Sequence, residues 1–470
     1  MDLLVSFGPE NLPRLDEVRM DGGVLLVTFV ATSITGLLFG LAPVLRLGHT
    51  DVRSQLQDGA RGATSGRGRE RVRSALVVAQ VALAVMIVVG AGLLSRSFIQ
   101  LLDTDPGFSA DNVLTLRVDL PSGAYRDLGR VADFHRDMVG GLTALPGVNA
   151  VAATATLPFD RDIPFLGNFL VRERPVPEQG EEPHAHYRQV SPAYFATMGI
   201  ELVEGREFDA LDDRGSTGVA VVNESLAARY FPGEDPIGKV IEGLPPHVAL
   251  GGFLTDHFEI VGIVRDVKYF GLAQPSEPSL YLPVAQAPFR RMSYAVRTAG
   301  PPDALIAAVR RTVQTVDPTV AVSQMSTMDR ILSASVARQQ FSTVLLLLFA
   351  GVALVLAAIG VYGVISYGVP QRTSELGVRI AMGAEPRDVL RLVLADGARL
   401  TFAGVGLGLV LSALLSRVMA SQLYGVSGTD PLTYFSVALV LSVVALTAAY
   451  IPARRTAHLD PVLALHGDGG

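Results

Sequence analysis

Five apolar runs, near residues 22–45, 75–95, 341–367, 398–419 and 432–452, constrain this chain more than any other feature. Each is long enough for a helix to cross the hydrocarbon core of a bilayer, which takes roughly 20 residues. A buried helix of this length in a soluble protein carries charge along one face, whereas these runs carry almost none. With 49% of residues hydrophobic and 18% charged, a soluble fold would have to bury nearly all of its surface. The expected class is an α-helical membrane protein with about five transmembrane helices.

Positive charge sets the orientation. Residues 46–74 hold Arg46, Arg53, Arg61, Arg67, Arg69, Arg71 and Arg73 against Asp51, Asp58 and Glu70. Arg372, Arg379, Arg387 and Arg391 follow the third run, and Arg454 and Arg455 follow the fifth. If every run spans, these segments share the cytoplasmic side, and the acidic region 96–338 lies outside together with the N-terminus. The first run is too long for a signal-peptide core, and Arg46 follows it instead of preceding it. The absence of cysteine excludes disulfides, thiolate metal sites and cysteine nucleophiles. A net charge of −6 argues against nucleic acid as a partner.

The first and fifth runs end alike. Pro43 precedes Arg46, Asp51 and Leu56, while Pro452 precedes Arg455, Asp460 and Leu465. Aspartate and leucine keep the same offset from proline in both. This register suggests an internal duplication in which residues 1–60 are the tail of an earlier copy. Termination of any exiting helix by Pro and Arg is the plainer reading.

The outside region reads as α/β. Residues 113–118 alternate as a strand, 129–144 show helical spacing at Val131, Phe134, Met138 and Leu142, and 151–155 return as a strand. The order repeats with a strand at 294–296, a helix at 302–316 and a strand at 320–322. Two β-α-β halves predict one split α/β sheet. Residues 160–285 between them read as an inserted β-rich subdomain, with its clearest strands at 219–222 and 259–264.

No catalytic, cofactor-binding or metal-binding set emerges. Residues 233–239 (GEDPIGK) fit the start of a phosphate-binding loop, but Val240 stands where Ser or Thr must hold magnesium, and the preceding residues look helical. His184 and His186 share one face of a strand but lack a third ligand at a sensible spacing. Asp160 with Asp162, and Asp212 with Asp213, sit in turn-like sequence expected to be exposed and merely solubilising. In the spans, Gly36 with Gly40 and Gly404 with Gly408 form G-x-x-x-G pairs suited to helix packing. Gln80, polar within a span, is expected to hydrogen-bond a neighbouring helix.

A charged, helix-forming segment held against the membrane after the third run, RTSELGVRIAMGA (372–384), suits a handle for another protein. Glu375 and Arg379 lie four apart, and Gly377, Gly383 and Ala384 let a partner backbone come close. Pro386 suits the first turn of the next helix.

That string resembles the coupling loop of MacB/FtsX-type ABC permeases. Residues 77–98 (VVAQVALAVMIVVGAGLLSRSF), 188–200 (RQVSPAYFATMGI), 219–241 (VAVVNESLAARYFPGEDPIGKVI) and 258–269 (FEIVGIVRDVKY) extend the likeness over nearly the whole chain. The order of tail and full copy resembles the C-terminal part of the duplicated orphan permeases in this group. The resemblance implies that Arg372, Glu375, Gly377, Arg379, Gly383 and Ala384 meet a separate cytoplasmic ABC ATPase. It implies a bacterial inner-membrane permease, with its large domain periplasmic, that converts ATP hydrolysis by that partner into export or extrusion. The helices near 85–100 and 330–345 would act as levers. Further implied partners are a second permease copy, membrane lipid and a periplasmic or outer-membrane protein. The expected division is a remnant of a preceding copy (1–74), a transmembrane helix (75–95), a MacB-like periplasmic core (96–338, insert about 160–285) and an FtsX-like permease domain (339–470). A membrane-anchored signalling scaffold and an inactive truncated paralogue are the alternatives.

Overall fold

A computed structural model describes residues 22–23, 25–30, 32–34, 64–160, 165–178, 180–244, 255, 257–371, 382, 385–419 and 423–456. Two compact units result, Met1–Gln100 with Gln339–Gly470, and Leu101–Arg338.

In the first unit, helix α1 (Thr64–Leu102) precedes the second unit's chain. Helices α6 (Met328–Gln371), α7 (Pro386–Met419) and α8 (Pro431–Thr456) follow it. Among the described residues these four are long and apolar enough to cross a membrane. The run expected at 22–45 contributes a shorter apolar helix, Leu25–Ile34; its remainder, with Gly36, Gly40 and the register after Pro43, lies outside the described residues. Each of three helices turns one stripe inward at four-residue spacing: Val77, Val81, Val85 and Val89 on α1; Ala353, Ala357, Val361 and Ile365 on α6; Val437, Leu441, Ala445 and Ala449 on α8. Residues four apart stack on one helix face. The outward face is apolar too, with Phe349, Val352 and Ile359 each more than half exposed. A helix that is apolar all round requires an apolar surrounding, here lipid.

The helices outrun the apolar stretches. The 39 residues of α1 reach roughly 58 Å at 1.5 Å per residue, about twice a bilayer core. The 44 residues of α6 begin thirteen positions before the apolar run does. The polar residues there are ordinary helix formers, and nothing in 328–340 breaks the helix.

In the second unit the two β-α-β halves interleave. The first is β1 (Val113–Asp119), α2 (Leu128–Thr143) and β2 (Val148–Thr154). The second is β10 (Arg291–Thr298), a 3-10 turn (Pro302–Leu305), α5 (Ile306–Val316) and β11 (Ala321–Thr327). Their order is β11-β1-β10-β2, all antiparallel neighbours, so each half has its two strands parallel with one strand of the other half between them. Asp127 caps α2 by accepting from the Arg130 amide, and Gly147, at φ +85°, turns the chain after it. One sheet face packs Leu114, Leu116 and Val118 against Phe134, Met138 and Val313 of the two helices. The other face packs Val113, Ala152 and Ala295 beneath Tyr194 and Phe195 of the short helix α3 (Tyr194–Met198). Burial on both faces accounts for the apolar or neutral residues at Val113, Leu114, Thr115, Leu116 and Val118 of β1, and the buried Arg117 among them pairs with Asp160.

The strands between the two halves close on themselves. This region contains β3 (Phe165–Val171), β4 (His184–Val190), β5 (Leu202–Gly205), β6 (Val219–Asn223), α4 (Glu224–Tyr230), β7 (Val240–Leu244), β8 (His257–Val264) and β9 (Ser279–Pro283). The pairings β4–β3–β7–β8–β6–β9 return to β4 through a parallel β4–β9 ladder, giving a closed ring of six strands. Closure removes exposed strand edges. Phe169, Tyr187, Phe258, Leu280 and Leu282 fill the interior. The Thr154–Val190 pair joins this barrel to the split sheet.

His135 ties α2 to that sheet. Its Nε2–H donates to the Phe289 carbonyl at 2.8 Å, and its Nδ1 accepts from the Tyr294 hydroxyl at 2.6 Å. Burial drives the imidazole down from 6.5 to about 4, with the Phe289 bond opposing the shift. The unfolded chain therefore binds this proton more readily than the folded one. The contribution of neutral His135 is whole above pH 6.5 and is lost as pH falls toward 4, amounting to about 3 kcal/mol over that window. Denaturant titrations of the purified chain between pH 7 and pH 4.5 should show this loss, and His135→Gln should flatten it.

Candidate functional site

The candidate sites are the places where the long helices meet other elements of their own unit. In the Leu101–Arg338 unit, both connections to the long helices leave from one end of one strand pair. Leu114 near the start of β1 pairs with Thr327 at the end of β11. Helix α6 starts at the next residue, Met328, which is fully buried. The Thr327 hydroxyl caps the Arg330 amide at 3.2 Å, and the Arg330 guanidinium forks onto Asp303.

The other connection, residues 103–112, is bolted down along its length. Arg297 on β10 donates to three backbone carbonyls, Thr197 at 2.7 Å, Asp111 at 3.0 Å and Ser109 at 3.1 Å. The Ser109 amide donates to Met198 O at 2.7 Å, and the Lys268 amide to Pro106 O at 2.9 Å. Gly107, at φ +79°, lies against the Asp266 backbone so closely that no side chain fits. Sequence reasoning missed Arg297 and Gly107. The Asp105-Pro106-Gly107 turn signal was available, but the partners of a lone strand arginine are not local.

Within the helical unit, glycines mark the closest approaches. A β-carbon on Gly404 of α7 would come within 2.7 Å of Val81 Cβ and 3.1 Å of Val78 O on α1. At Gly408 it would meet Val85 Cβ at 2.5 Å and Ala82 O at 2.8 Å. Gln80 donates to Leu356 O on α6 at 2.6 Å, and its amide oxygen occupies the space a side chain at Gly360 would need. Near the other end, the Tyr424 amide donates to Ser97 Oγ at 2.7 Å, and Arg96 pairs with Asp430, which also caps α8 through Thr433. Arg372, Glu375, Gly377, Arg379, Gly383 and Ala384 lie outside the described residues. Met382 of the same segment is 85% exposed, and α7 does begin at Pro386.

The weaker candidates resolve into structure. Residues 233–239 follow helix α4 and precede strand β7, the reverse of a phosphate-binding loop, and Lys239 pairs with Glu173 at 2.8 Å. His184 stacks edge-on to Tyr230, while His186 binds Glu277. Burial lowers the His186 pKa, with Glu277 opposing. No cluster of three or more metal-ligating side chains occurs among the described residues. The aspartates are a correction. Asp160 forms a buried pair with Arg117, and Asp212 accepts a fork from Arg206 at 2.8 and 2.9 Å. Both were expected to be exposed, because an arginine distant in sequence cannot be foreseen as a cover. Asp213 caps a turn through Gly215 and Ser216, and Asp162 lies outside the described residues.

Residues 74–328 match the family model of the MacB-like periplasmic core domain, and residues 347–461 that of the FtsX-like permease C-terminal domain. The chain belongs to this MacB/FtsX family of ABC transporter permeases. It is 28% identical over 355 residues to the pyoverdine export ATP-binding/permease protein PvdT of Pseudomonas putida, covering 70% of this chain and 49% of that protein. It is 28% identical over 289 residues to the macrolide export ATP-binding/permease protein MacB of Hahella chejuensis, covering 59% and 42%. The chain thus spans less than half the length of these curated relatives. The crystal structure of the periplasmic region of MacB from Actinobacillus actinomycetemcomitans aligns at 16% identity and a TM-score of 0.32, over 49% of this chain and 95% of that one.

The Gly404 and Gly408 contacts make a direct prediction. Gly408→Leu should force α7 away from α1 and destabilise the helical unit by about 1–3 kcal/mol, as overpacking does. Gly406→Leu, where a β-carbon meets nothing within 4 Å, should be tolerated. Thermal unfolding in detergent micelles separates the two.

Proposed function

We propose that this chain is the permease part of an inner-membrane export or extrusion system whose ATP is hydrolysed by a separate cytoplasmic ATPase. Segment 372–384 is the docking element in this reading. Arg372, Glu375 and Arg379 meet charges of the ATPase, and Gly377, Gly383 and Ala384 admit its backbone. Residues 101–338 form the periplasmic domain, which rearranges when the long helices move. The chain itself carries no hydrolytic role. A second permease copy completes the transport unit, and Gly36 with Gly40 contributes a further packing face.

One observation carries the reading: the chain that follows α1 and the chain that enters α6 meet adjacent ends of the neighbouring strands β1 and β11. A shift of one connection against the other acts directly on the β1–β11 pair. The rest of the domain follows because Arg297 and Gly107 clamp the first connection to the sheet and to the barrel side. Coupling of this kind needs a two-state element biased by nucleotide, not a reacting site. The family membership and the export function in the names of the relatives support the direction of transport.

Reversal of the two charges tests docking. Glu375→Lys with Arg379→Glu should abolish co-purification of the ATPase and its nucleotide-dependent effects while leaving the chain folded. Undiminished co-purification would overturn the assignment of 372–384.

A further inference from the structure

The face of β4 that carries His184 and His186 continues inward to Arg188, which is only 1% exposed. Two of the long motifs, 188–200 and 258–269, converge on this residue. The guanidinium lies 3.2 Å above the ring centroid of Tyr269, and its Nε donates to Ser279 Oγ at 3.2 Å. Both terminal nitrogens are buried without a hydrogen-bond partner. In the parallel β4–β9 ladder Arg188 stands opposite Tyr281, whose buried hydroxyl lies beside Tyr269 without a hydrogen bond of ordinary geometry, and Nδ1 of His186 is unpartnered too. Among the described residues, half of the eight buried side-chain polar atoms without partners therefore lie on one face of the β4–β9 pair.

Two carboxylates act on the groups of this face, Asp266 on Tyr281 and Glu277 on His186, and both are committed elsewhere. Asp266 accepts from Asn223 Nδ2 at 2.5 Å and from the Ser225 amide and hydroxyl at 3.0 and 2.5 Å. Glu277 is bound by His186, and its side chain is 49% exposed, so the face runs from solvent inward to the arginine. Phe270, 41% exposed, stacks at 4.9 Å on His186 beside this entry. An arginine buried without a counter-charge is expensive, and its planar fork of donors matches a carboxylate held through two parallel bonds.

We propose that the outer face of β4 and β9 is a carboxylate-binding site, with Arg188 holding the anion through Nη1 and Nη2 and Tyr281 donating a third hydrogen bond. Tyr269 roofs the site, and the His186–Glu277 pair sits at its mouth. The site belongs to the periplasmic-core unit and is independent of the docking at 372–384.

The test uses the purified full-length chain in detergent with formate as the probe and potassium methanesulfonate at equal ionic strength as the reference. Formate should raise the unfolding midpoint saturably, by about 2–4 °C at high occupancy. Chloride at equal concentration should do markedly less, since a sphere cannot use the fork. Arg188→Met should need at least tenfold more formate for the same shift, while being no less stable than the wild type in methanesulfonate. Tyr281→Phe should need several-fold more, and it decides the matter if the arginine variant does not fold. Equal midpoints for the wild type in formate and methanesulfonate would overturn the proposal. So would an equal response to chloride, or an unchanged formate response in Tyr281→Phe.

Discussion

The pairing of β1 with β11 is the contact on which the rest of the architecture depends. It sets the entry and exit of a domain of more than two hundred residues side by side, at Leu114 and Thr327. A domain inserted between two membrane-length helices needs this closeness of ends. Antiparallel neighbours supply it with backbone hydrogen bonds that do not depend on particular side chains. Thr327 capping the next helix and Arg297 gripping three carbonyls then convert two flexible exits into two anchored ones.

The two units are built on opposite solvent logic. In the helical unit both the inside and the outside are apolar, so sorting by polarity cannot hold helices together. Close approach at Gly404 and Gly408 and the single amide bond of Gln80 take over that task. In the other unit the two faces of the split sheet are each covered by a different layer, and the barrel closes its own edges. Buried polar groups there are neutral or paired, as with His135 and with Arg117–Asp160. Arg188 is the exception, and it stands where two of the chain's most distinctive motifs meet.

Much of this was legible beforehand. Uncharged apolar runs report helices because lipid leaves the backbone no other way to satisfy its hydrogen bonds. The alternation at 113–118 and the spacing of Val131, Phe134, Met138 and Leu142 reported β1 and α2, because both periods follow from local geometry. The closed barrel was not legible. Its last pair joins His186 to Ser279, and such distant registers leave no local trace. Nor was the burial of Arg188, since the string His184-Ala185-His186-Tyr187-Arg188 looks like a solvated edge. The helices exceeded their apolar runs because helix continuation needs only the absence of a breaker.

The most direct test of the central claim measures the distance between the two long helices while nucleotide is bound and hydrolysed. The chain has no cysteine, so spin labels at Ile99→Cys and Gln340→Cys, both exposed positions, report without background. In complex with the ATPase, the distance between labels should differ between the nucleotide-free and ATP-bound states by roughly 5 Å, about one helical turn. Identical distance distributions in the two states would contradict the account.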